Sequence, residues 1–380
     1  MKILFVHFKS HRYLYLLVIM CLILMISHTL YIFATHQFPE QDEHLYLDIT
    51  AAYYRMLQNP SFHTPVEMMN YLISHPPLRQ PLYSLTILIP ILIFGIGNIY
   101  KIALFVNGIY YIAAIIGVYF LGLKFFSKNK SLLAALIFAT YGFPLFYLHF
   151  AYSETATTTW VIWTLAMLSR VNEFRSRRYV VLFAIFFAAA LLTRWLSLFF
   201  ILGPLLLIFC QTAVDIKKDL PVIVKNVLVM FYIISPAFLY YILGMHAFAY
   251  YFHANTSLGA SWMTSVIGES NLANPLSIQS AAYYFKVFAQ QTVFVIVLFL
   301  LGLGIVLIKF KKYSFLLLGF IVPYVVLTFF IALKFDRYIV PIYPVMALIS
   351  VAAFDLIHWK KVNQVLITGL VCLSILNFLG

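Results

Sequence analysis

The stretch from which the rest of this chain can be interpreted is Phe38-Pro39-Glu40-Gln41-Asp42-Glu43-His44-Leu45-Tyr46, which follows the first long apolar run at residues 13–35. The 380-residue chain has only 12 Asp and Glu residues, and three of them lie within four positions here. A carboxylate just beyond a span-length apolar run either marks the membrane boundary in a solvated loop or acts as a base at the mouth of a membrane-embedded site.

The composition is that of an integral membrane protein. Hydrophobic residues make up 64% of the chain and charged residues 10%, against about 25% charged residues in an ordinary soluble domain. A spanning helix needs about 20 mostly apolar residues. Apolar runs of this kind predict about eleven transmembrane helices, at residues 13–35, 100–123, 131–150, 155–169, 179–193, 195–212, 221–243, 291–308, 313–333, 338–356 and 363–379.

Loop charge predicts the sides of the membrane, because Lys and Arg accumulate on the cytoplasmic side. Most of the 25 Lys and Arg residues fall in six clusters, at residues 2–12, 124–130, 170–178, 217–225, 309–312 and 360–361. All six face the cytoplasm only if a further apolar run, 81–97, lies in or dips into the outer leaflet. We therefore predict a multi-pass plasma-membrane protein with a cytoplasmic N-terminus. Topology accounts for the net charge of +13, which gives no support to nucleic-acid binding.

We predict a single all-α membrane domain over residues 1–380, with no separate soluble domain. Its two long outer loops are residues 38–99 and 244–290. The first has helical runs, at 45–57 and 65–73, that are expected to lie along the membrane interface. The second is rich in aromatic residues, which suit a lid or an acceptor cleft, although an interfacial aromatic belt is the simpler explanation.

A second group of ionisable residues in the first outer loop is His75-Pro76-Pro77-Leu78-Arg79. Consecutive prolines restrict the backbone and so fix the directions of His75 and Arg79. Together these side chains could hold a phosphate, because the arginine fork donates charge-assisted hydrogen bonds. A simple turn before a helix is the alternative.

Three more outer segments carry charge. Glu154 opens a predicted span after Tyr152-Ser153, either as part of a helix cap with Ser153 or as a functional carboxylate. Arg194 interrupts a long apolar run, and Arg337-Tyr338 begins the tenth span. Interfacial anchoring is the alternative for both. Cations on the side where Lys and Arg are rare also suit an anionic ligand.

In order along the chain, these segments resemble the GT-C superfamily of polyprenyl-phosphate-sugar glycosyltransferases, which contains the protein O-mannosyltransferases and the aminoarabinose transferases of lipid A. The matching motifs are Asp42-Glu43-x-x-Tyr46, His75-Pro76-Pro77-Leu78, Tyr152-Ser153-Glu154, Leu192-Thr193-Arg194 and Arg337-Tyr338-x-x-Pro341-x-x-Pro344.

The resemblance implies a GT-C-type bundle with interfacial helices in a large first outer loop. It also implies that Asp42 matches the catalytic carboxylate, and that His75, Arg194 and Arg337 match positions tied to the donor phosphate. Many relatives carry Lys at the position of Arg194, and the aminoarabinose enzymes carry Lys at that of His75. No C-terminal soluble domain follows, so we expect either a minimal member or an incomplete chain.

We therefore predict transfer of a sugar from a polyprenyl-phosphate donor to a hydroxyl of a protein, lipid or glycan acceptor on the outer face, with inversion. The predicted catalytic residues are Asp42, as general base, and Glu43. The predicted substrate-binding residues, which orient the sugar or acceptor or neutralise the departing phosphate, are His75, Arg79, Glu154, Arg194, Arg337 and Tyr338.

Three alternatives remain open. No cofactor is predicted, but Asp42 and Glu154 could share a divalent cation; two carboxylates are few for such a site. A transporter or flippase of lipid-linked sugars is the second alternative, although the ionisable residues gather at the outer rim, whereas transporters place them near the midplane. The third is a non-catalytic membrane scaffold.

Overall fold

The computed structural model describes residues 2–34, 39, 41–61, 64, 66–68, 71, 81–214, 219–253, 278–289, 293–331 and 335–355. These residues form helices and turns, with no β-strand among them. The prediction of an all-α membrane protein is confirmed.

The α-helices, numbered in chain order within the described residues, are α1 (Lys2–Ala34), α2 (Gln41–Gln58), α3 (Pro81–Phe94), α4 (Ile99–Phe125), α5 (Lys128–Ala139), α6 (Gly142–Leu148), α7 (Glu154–Leu168), α8 (Arg177–Thr193), α9 (Ser197–Val214), α10 (Leu220–His253), α11 (Ile278–Ala289), α12 (Val293–Ile308), α13 (Phe310–Phe329) and α14 (Tyr343–Ala352). Short 3-10 helices cover Ile96–Asn98, Asp336–Ile342 and Ala353–Asp355.

Six helical stretches of the described chain are long and apolar enough to cross a membrane, at residues 13–34, 96–125, 197–214, 220–242, 310–329 and 336–355. Helices α5 and α6 make a seventh if their 59° bend lies within one broken span. The predicted count of eleven is not confirmed, because α7 and α8 have only 15 and 17 residues and the run at 363–379 lies outside the described residues.

Helix α3 corresponds to the apolar run that we expected not to cross the membrane. It has 14 residues, which at 1.5 Å per residue is about 21 Å, shorter than a hydrocarbon core of about 30 Å. Its placement in the outer leaflet stays a prediction. In the bundle it packs against α2, α4 and α8.

Helix α7 is the central helix, packed against α4, α8, α9 and the 3-10 helix Asp336–Ile342. Two hydrogen bonds tie it to α4: the Thr159 hydroxyl donates to the Tyr110 carbonyl at 2.6 Å, and Trp163 Nε1 donates to the Ala113 carbonyl at 2.9 Å. Polar groups inside a membrane protein are satisfied in this way across helix interfaces. These contacts fix the position of α7 and hence of Glu154, its first residue.

Helices α12 and α14 are in close backbone contact at Gly302. A Cβ atom added there would lie 2.0 Å from the carbonyl oxygen of Ile349, far inside van der Waals contact. Small residues allow helix backbones to meet in membrane bundles. Gly302 therefore sets the distance between these two helices.

We expect Gly302→Ala to destabilise the protein by about 1–3 kcal/mol, because the new methyl group forces the two backbones apart. The measurement is the midpoint of thermal unfolding in detergent. Gly304→Ala is the matched control on the same helix, since nothing lies within 4 Å of a Cβ atom there. Equal midpoints for the two variants would contradict the close packing.

Candidate active site

The first turn of α2 is anchored to the turn between α6 and α7. Glu43 is fully buried, and its Oε1 accepts a hydrogen bond from the backbone N–H of Ala151. The same turn is held from α4, where Asn107 Nδ2 donates to the Phe150 carbonyl at 2.5 Å. Glu43 thus fixes the start of α2 beside the start of α7. This position fits a residue that holds the site in place, and its catalytic role stays a prediction.

Tyr46, one helical turn after Glu43, makes a second link to the same turn. Its hydroxyl lies 2.8 Å from the hydroxyl of Ser153. Ser153 immediately precedes α7, but its side chain makes no capping hydrogen bond to the helix. The cap that the sequence suggested for Ser153 is therefore not formed, because the hydroxyl contacts Tyr46.

The link between Tyr46 and Ser153 can be measured by a double-mutant cycle. We expect Tyr46→Phe and Ser153→Ala each to lower the free energy of unfolding by about 1–3 kcal/mol, since each removes a hydrogen bond between two buried hydroxyl groups. The double variant should lose less than the sum of the two. Strict additivity of the unfolding free energies would show that the two hydroxyls do not interact.

At the start of α7, Glu154 meets two arginines. Its Oε1 accepts a hydrogen bond from Arg194 Nη1 and lies 3.6 Å from Arg337 Nε. The side chain of Glu154 is 2% exposed, and those of Arg194 and Arg337 are 12% and 13% exposed. Together with Tyr338, whose ring Arg194 covers, these residues form what we call the Glu154 cluster.

Aromatic rings hold both guanidinium groups. Arg194 Cζ lies 4.8 Å from the centre of the Tyr338 ring. Arg337 Cζ lies 5.1 Å from the Tyr152 ring centre and 5.0 Å from that of Phe335. Such cation–π contacts restrict the arginine side chains while keeping their charge. The donors of the cluster are therefore preorganised.

Burial and charge have opposite effects on Arg194 in the Glu154 cluster. Burial lowers the pKa of Arg194, but the charge and hydrogen bond of Glu154 together with nearby Tyr46 and Tyr338 outweigh burial and raise this pKa above its ordinary value. Glu154 is thus a carboxylate that both guanidinium groups share. Glu154 Oε2 is also buried, and no described residue donates a hydrogen bond to it. A buried acceptor of this kind is costly unless a donor reaches it, so a ligand hydroxyl group that reaches Glu154 Oε2 would satisfy it.

A cavity of about 290 Å³ lies beside Arg337. Aromatic side chains and one carboxylate shape it; its lining residues are Phe146, Tyr147, Phe150, Tyr152, Tyr283, Phe335, Asp336 and Arg337. The Tyr283 hydroxyl donates a hydrogen bond to Asp336 Oδ1. Burial and this hydrogen bond raise the pKa of Tyr283 above its usual range, so the hydroxyl keeps its proton.

The structure therefore brings four of the eight residues predicted from the sequence into contact: Glu154, Arg194, Arg337 and Tyr338. Glu43 does not touch them directly, but it accepts a hydrogen bond from Ala151 in the turn that precedes α7. Asp42 belongs to the first turn of α2, but its side chain lies outside the described residues, as do His75 and Arg79.

Sequence reasoning did not assign a role in the site to Asp336 and Tyr283. Asp336 carries a usable signal, since it directly precedes Arg337 and is one of only 12 Asp and Glu residues in the chain. Tyr283 has none of its own, because it belongs to an aromatic-rich loop that a membrane interface explains equally well.

Metal binding is not decided by the described part of the chain. Within it, no three His, Cys, Asp or Glu side chains come together as a metal site. Because the Asp42 side chain lies outside that part, the prediction of a metal-free site stays a prediction.

No known family model and no curated protein matches this sequence. Solved structures do match its fold. ArnT from Cupriavidus metallidurans bound to undecaprenyl phosphate aligns with a TM-score of 0.63 and 14% identity, over 93% of this chain and 62% of ArnT. The oligosaccharyltransferase AglB from Archaeoglobus fulgidus, in complex with an inhibitory peptide and a dolichol-phosphate, aligns with a TM-score of 0.56 and 16% identity.

The AglB alignment covers 97% of this chain and 54% of AglB, so the chain spans between about half and three-fifths of the length of these proteins. ArnT and AglB both belong to the GT-C superfamily. This multi-pass membrane chain has the GT-C fold.

Proposed function

We propose that this protein is a membrane glycosyltransferase that moves a sugar from a polyprenyl-phosphate donor to an acceptor hydroxyl on the extracytoplasmic face. The observation that carries the proposal is the Glu154 cluster, in which two preorganised arginines lie beside the anchored start of α2. The GT-C fold supports the same class of reaction, because the solved relatives named above were crystallised or studied with undecaprenyl phosphate and a dolichol-phosphate.

Arg194 and Arg337 would bind the phosphate of the donor. As the bond between sugar and phosphate breaks, negative charge grows on the phosphate oxygens. Fixed guanidinium groups stabilise that charge without reorganising during the reaction, and arginine suits phosphate because its donors match two oxygens at once. His75 and Arg79 are proposed to add to this phosphate site.

Asp42 would act as the general base. The acceptor oxygen attacks the anomeric carbon from the side opposite the phosphate, and its proton passes to the Asp42 carboxylate. The carbon–oxygen bond to phosphate breaks, and the electron pair leaves with the polyprenyl phosphate. The anomeric configuration is inverted. Glu43, next in sequence, would keep Asp42 in place through its hydrogen bond to Ala151.

The aromatic cavity beside Arg337 would hold the sugar. Pockets for such ligands combine apolar walls with a few well-placed polar groups. The ring of Tyr147 can pack against a pyranose ring, and Asp336 can accept hydrogen bonds from its hydroxyl groups. Glu154 Oε2 offers a further acceptor at the phosphate end.

The deciding experiment incubates the purified full chain in detergent with a panel of labelled polyprenyl-phosphate sugars and scores transfer or release of the sugar. We expect one donor to be consumed by the wild type and by Arg178→Gln, a variant at an exposed arginine on α8, and spared by Arg337→Gln. Movement of lipid-linked sugar across a vesicle membrane with no bond cleavage for any donor would instead establish the flippase alternative.

A further inference from the structure

A second cavity, of about 230 Å³, lies at the opposite end of the bundle from the Glu154 cluster. Its lining includes Lys124, in the last turn of α4, and Gln211, near the end of α9. It also includes Ser169, which directly follows α7. Glu154 begins α7, whose 15 residues correspond to about 22 Å of helix. This cavity is therefore separate from the proposed active site.

Three lysines give this cavity a positive charge: Lys124, Lys311 and Lys312. None of the three forms an ion pair with a carboxylate in the described residues. The acid in the lining, Glu173, is already paired with Arg175. No described carboxylate thus pairs with the lysines of the cavity, although Lys312 lies 4.6 Å from the centre of the Tyr313 ring.

Two of these lysines lie at a helix end where a positive charge is unfavourable. Lys311 and Lys312 lie in the first turn of α13, where the helix dipole is positive and cations are unfavourable. Lys124, from α4, adds its charge to theirs across the cavity. An anion between the two helices would relieve this repulsion.

The lining is amphipathic. Hydroxyl and amide groups from Asn172, Gln211 and Ser314 offer hydrogen-bond donors, while Phe125, Leu207, Ile208 and Phe315 supply an apolar wall. A free inorganic anion would contact only the hydrogen-bond donors. A phospholipid uses both, with its phosphate against the lysines and its glycerol and upper acyl carbons against the wall.

The wall on the side of the 172–174 loop has a fixed shape. Asn172, Glu173 and Phe174 have φ angles of 50°, 54° and 62°. Asn226 Nδ2, on α10, donates to the Phe174 carbonyl at 2.7 Å and holds this conformation. The cavity is therefore preformed on this side.

We propose that this cavity is a binding site for the phosphate of an anionic phospholipid in the membrane leaflet at this end of the bundle. The predicted topology assigns that leaflet to the cytoplasmic side, where basic pockets between helices meet anionic headgroups. The site is independent of the proposed glycosyltransferase reaction, since it shares no residue with the Glu154 cluster.

The test uses the full-length protein in detergent and native mass spectrometry to measure apparent affinity for three probes: phosphatidylglycerol, phosphatidylcholine and inorganic phosphate. The test variant is Lys124→Gln/Lys311→Gln/Lys312→Gln. The matched control, Lys128→Gln/Lys225→Gln/Arg178→Gln, removes the same charge from exposed positions outside the cavity.

We expect the cavity variant to bind phosphatidylglycerol at least about tenfold more weakly than wild type, because each basic group near an anionic headgroup contributes substantially to binding, and the control to stay close to wild type. Phosphatidylcholine should bind weakly to all three proteins. An equal loss in both triple variants, equal binding of the two lipids, or full displacement of phosphatidylglycerol by inorganic phosphate at the same concentration would overturn the proposal.

Discussion

Asp42→Asn is expected to slow sugar transfer by about a hundred- to ten-thousand-fold, the range that a positioned general base contributes. Asparagine keeps the size of the side chain but cannot accept the proton of the acceptor hydroxyl. Binding of the donor should change little, because the proposed phosphate site uses other residues. The measurement is single-turnover transfer with saturating donor, together with the affinity for the donor.

Asp48→Asn is the matched control for Asp42→Asn. Both aspartates lie on α2, and Asp48 is exposed. The control should keep the wild-type rate, and both variants should unfold at the wild-type temperature. Full transferase activity in a folded Asp42→Asn protein would remove Asp42 from the mechanism.

Glu154→Gln is expected to destabilise the protein by about 3–5 kcal/mol, because removing one partner of a buried ion pair leaves the other charge uncompensated. Here two arginines, each mostly buried, would lose the carboxylate that they share. The thermal midpoint in detergent should fall accordingly. Donor turnover should also drop, since Arg194 and Arg337 lose the group that orients them.

Two further variants separate this effect from a general loss of negative charge. Glu67→Gln removes an exposed carboxylate and should leave the midpoint unchanged. The double variant Glu154→Gln/Arg194→Gln should regain part of the stability that the single change loses, because one of the uncompensated charges is gone. A Glu154→Gln protein as stable as the wild type would show that the ion pairs do not stabilise the fold.

The fold class was predictable because it depends on composition. A run of about 20 apolar residues enters a membrane as a helix whatever surrounds it, since its backbone groups must pair within the segment. The boundaries of the spans were predicted less accurately from the sequence. The predicted run 131–150 is two helices with a 59° bend, and helices such as α7 are shorter than a complete span, because packing inside the protein relaxes the length requirement that lipid imposes.

The sequence predicted several of the charged residues that contact one another in the candidate site, but it did not predict all of their partners. Scarcity of charge and the family pattern selected Glu154, Arg194 and Arg337, which are in contact in the structure. Ser153 was interpreted as a cap, yet its hydroxyl contacts Tyr46. A local rule cannot anticipate a competing partner 107 residues away, because that contact exists only once the start of α2 lies beside the turn before α7.

The sequence by itself determined that this chain is a multi-pass helical membrane protein and which scarce charged residues are candidates for its chemistry. Only the tertiary structure decided that Arg194 and Arg337 share Glu154, that Glu43 accepts a hydrogen bond from Ala151, and that three lysines line a cavity at the far end of the bundle. The physical reason is that hydropathy acts on each segment separately, whereas the distance between two side chains depends on how whole helices pack.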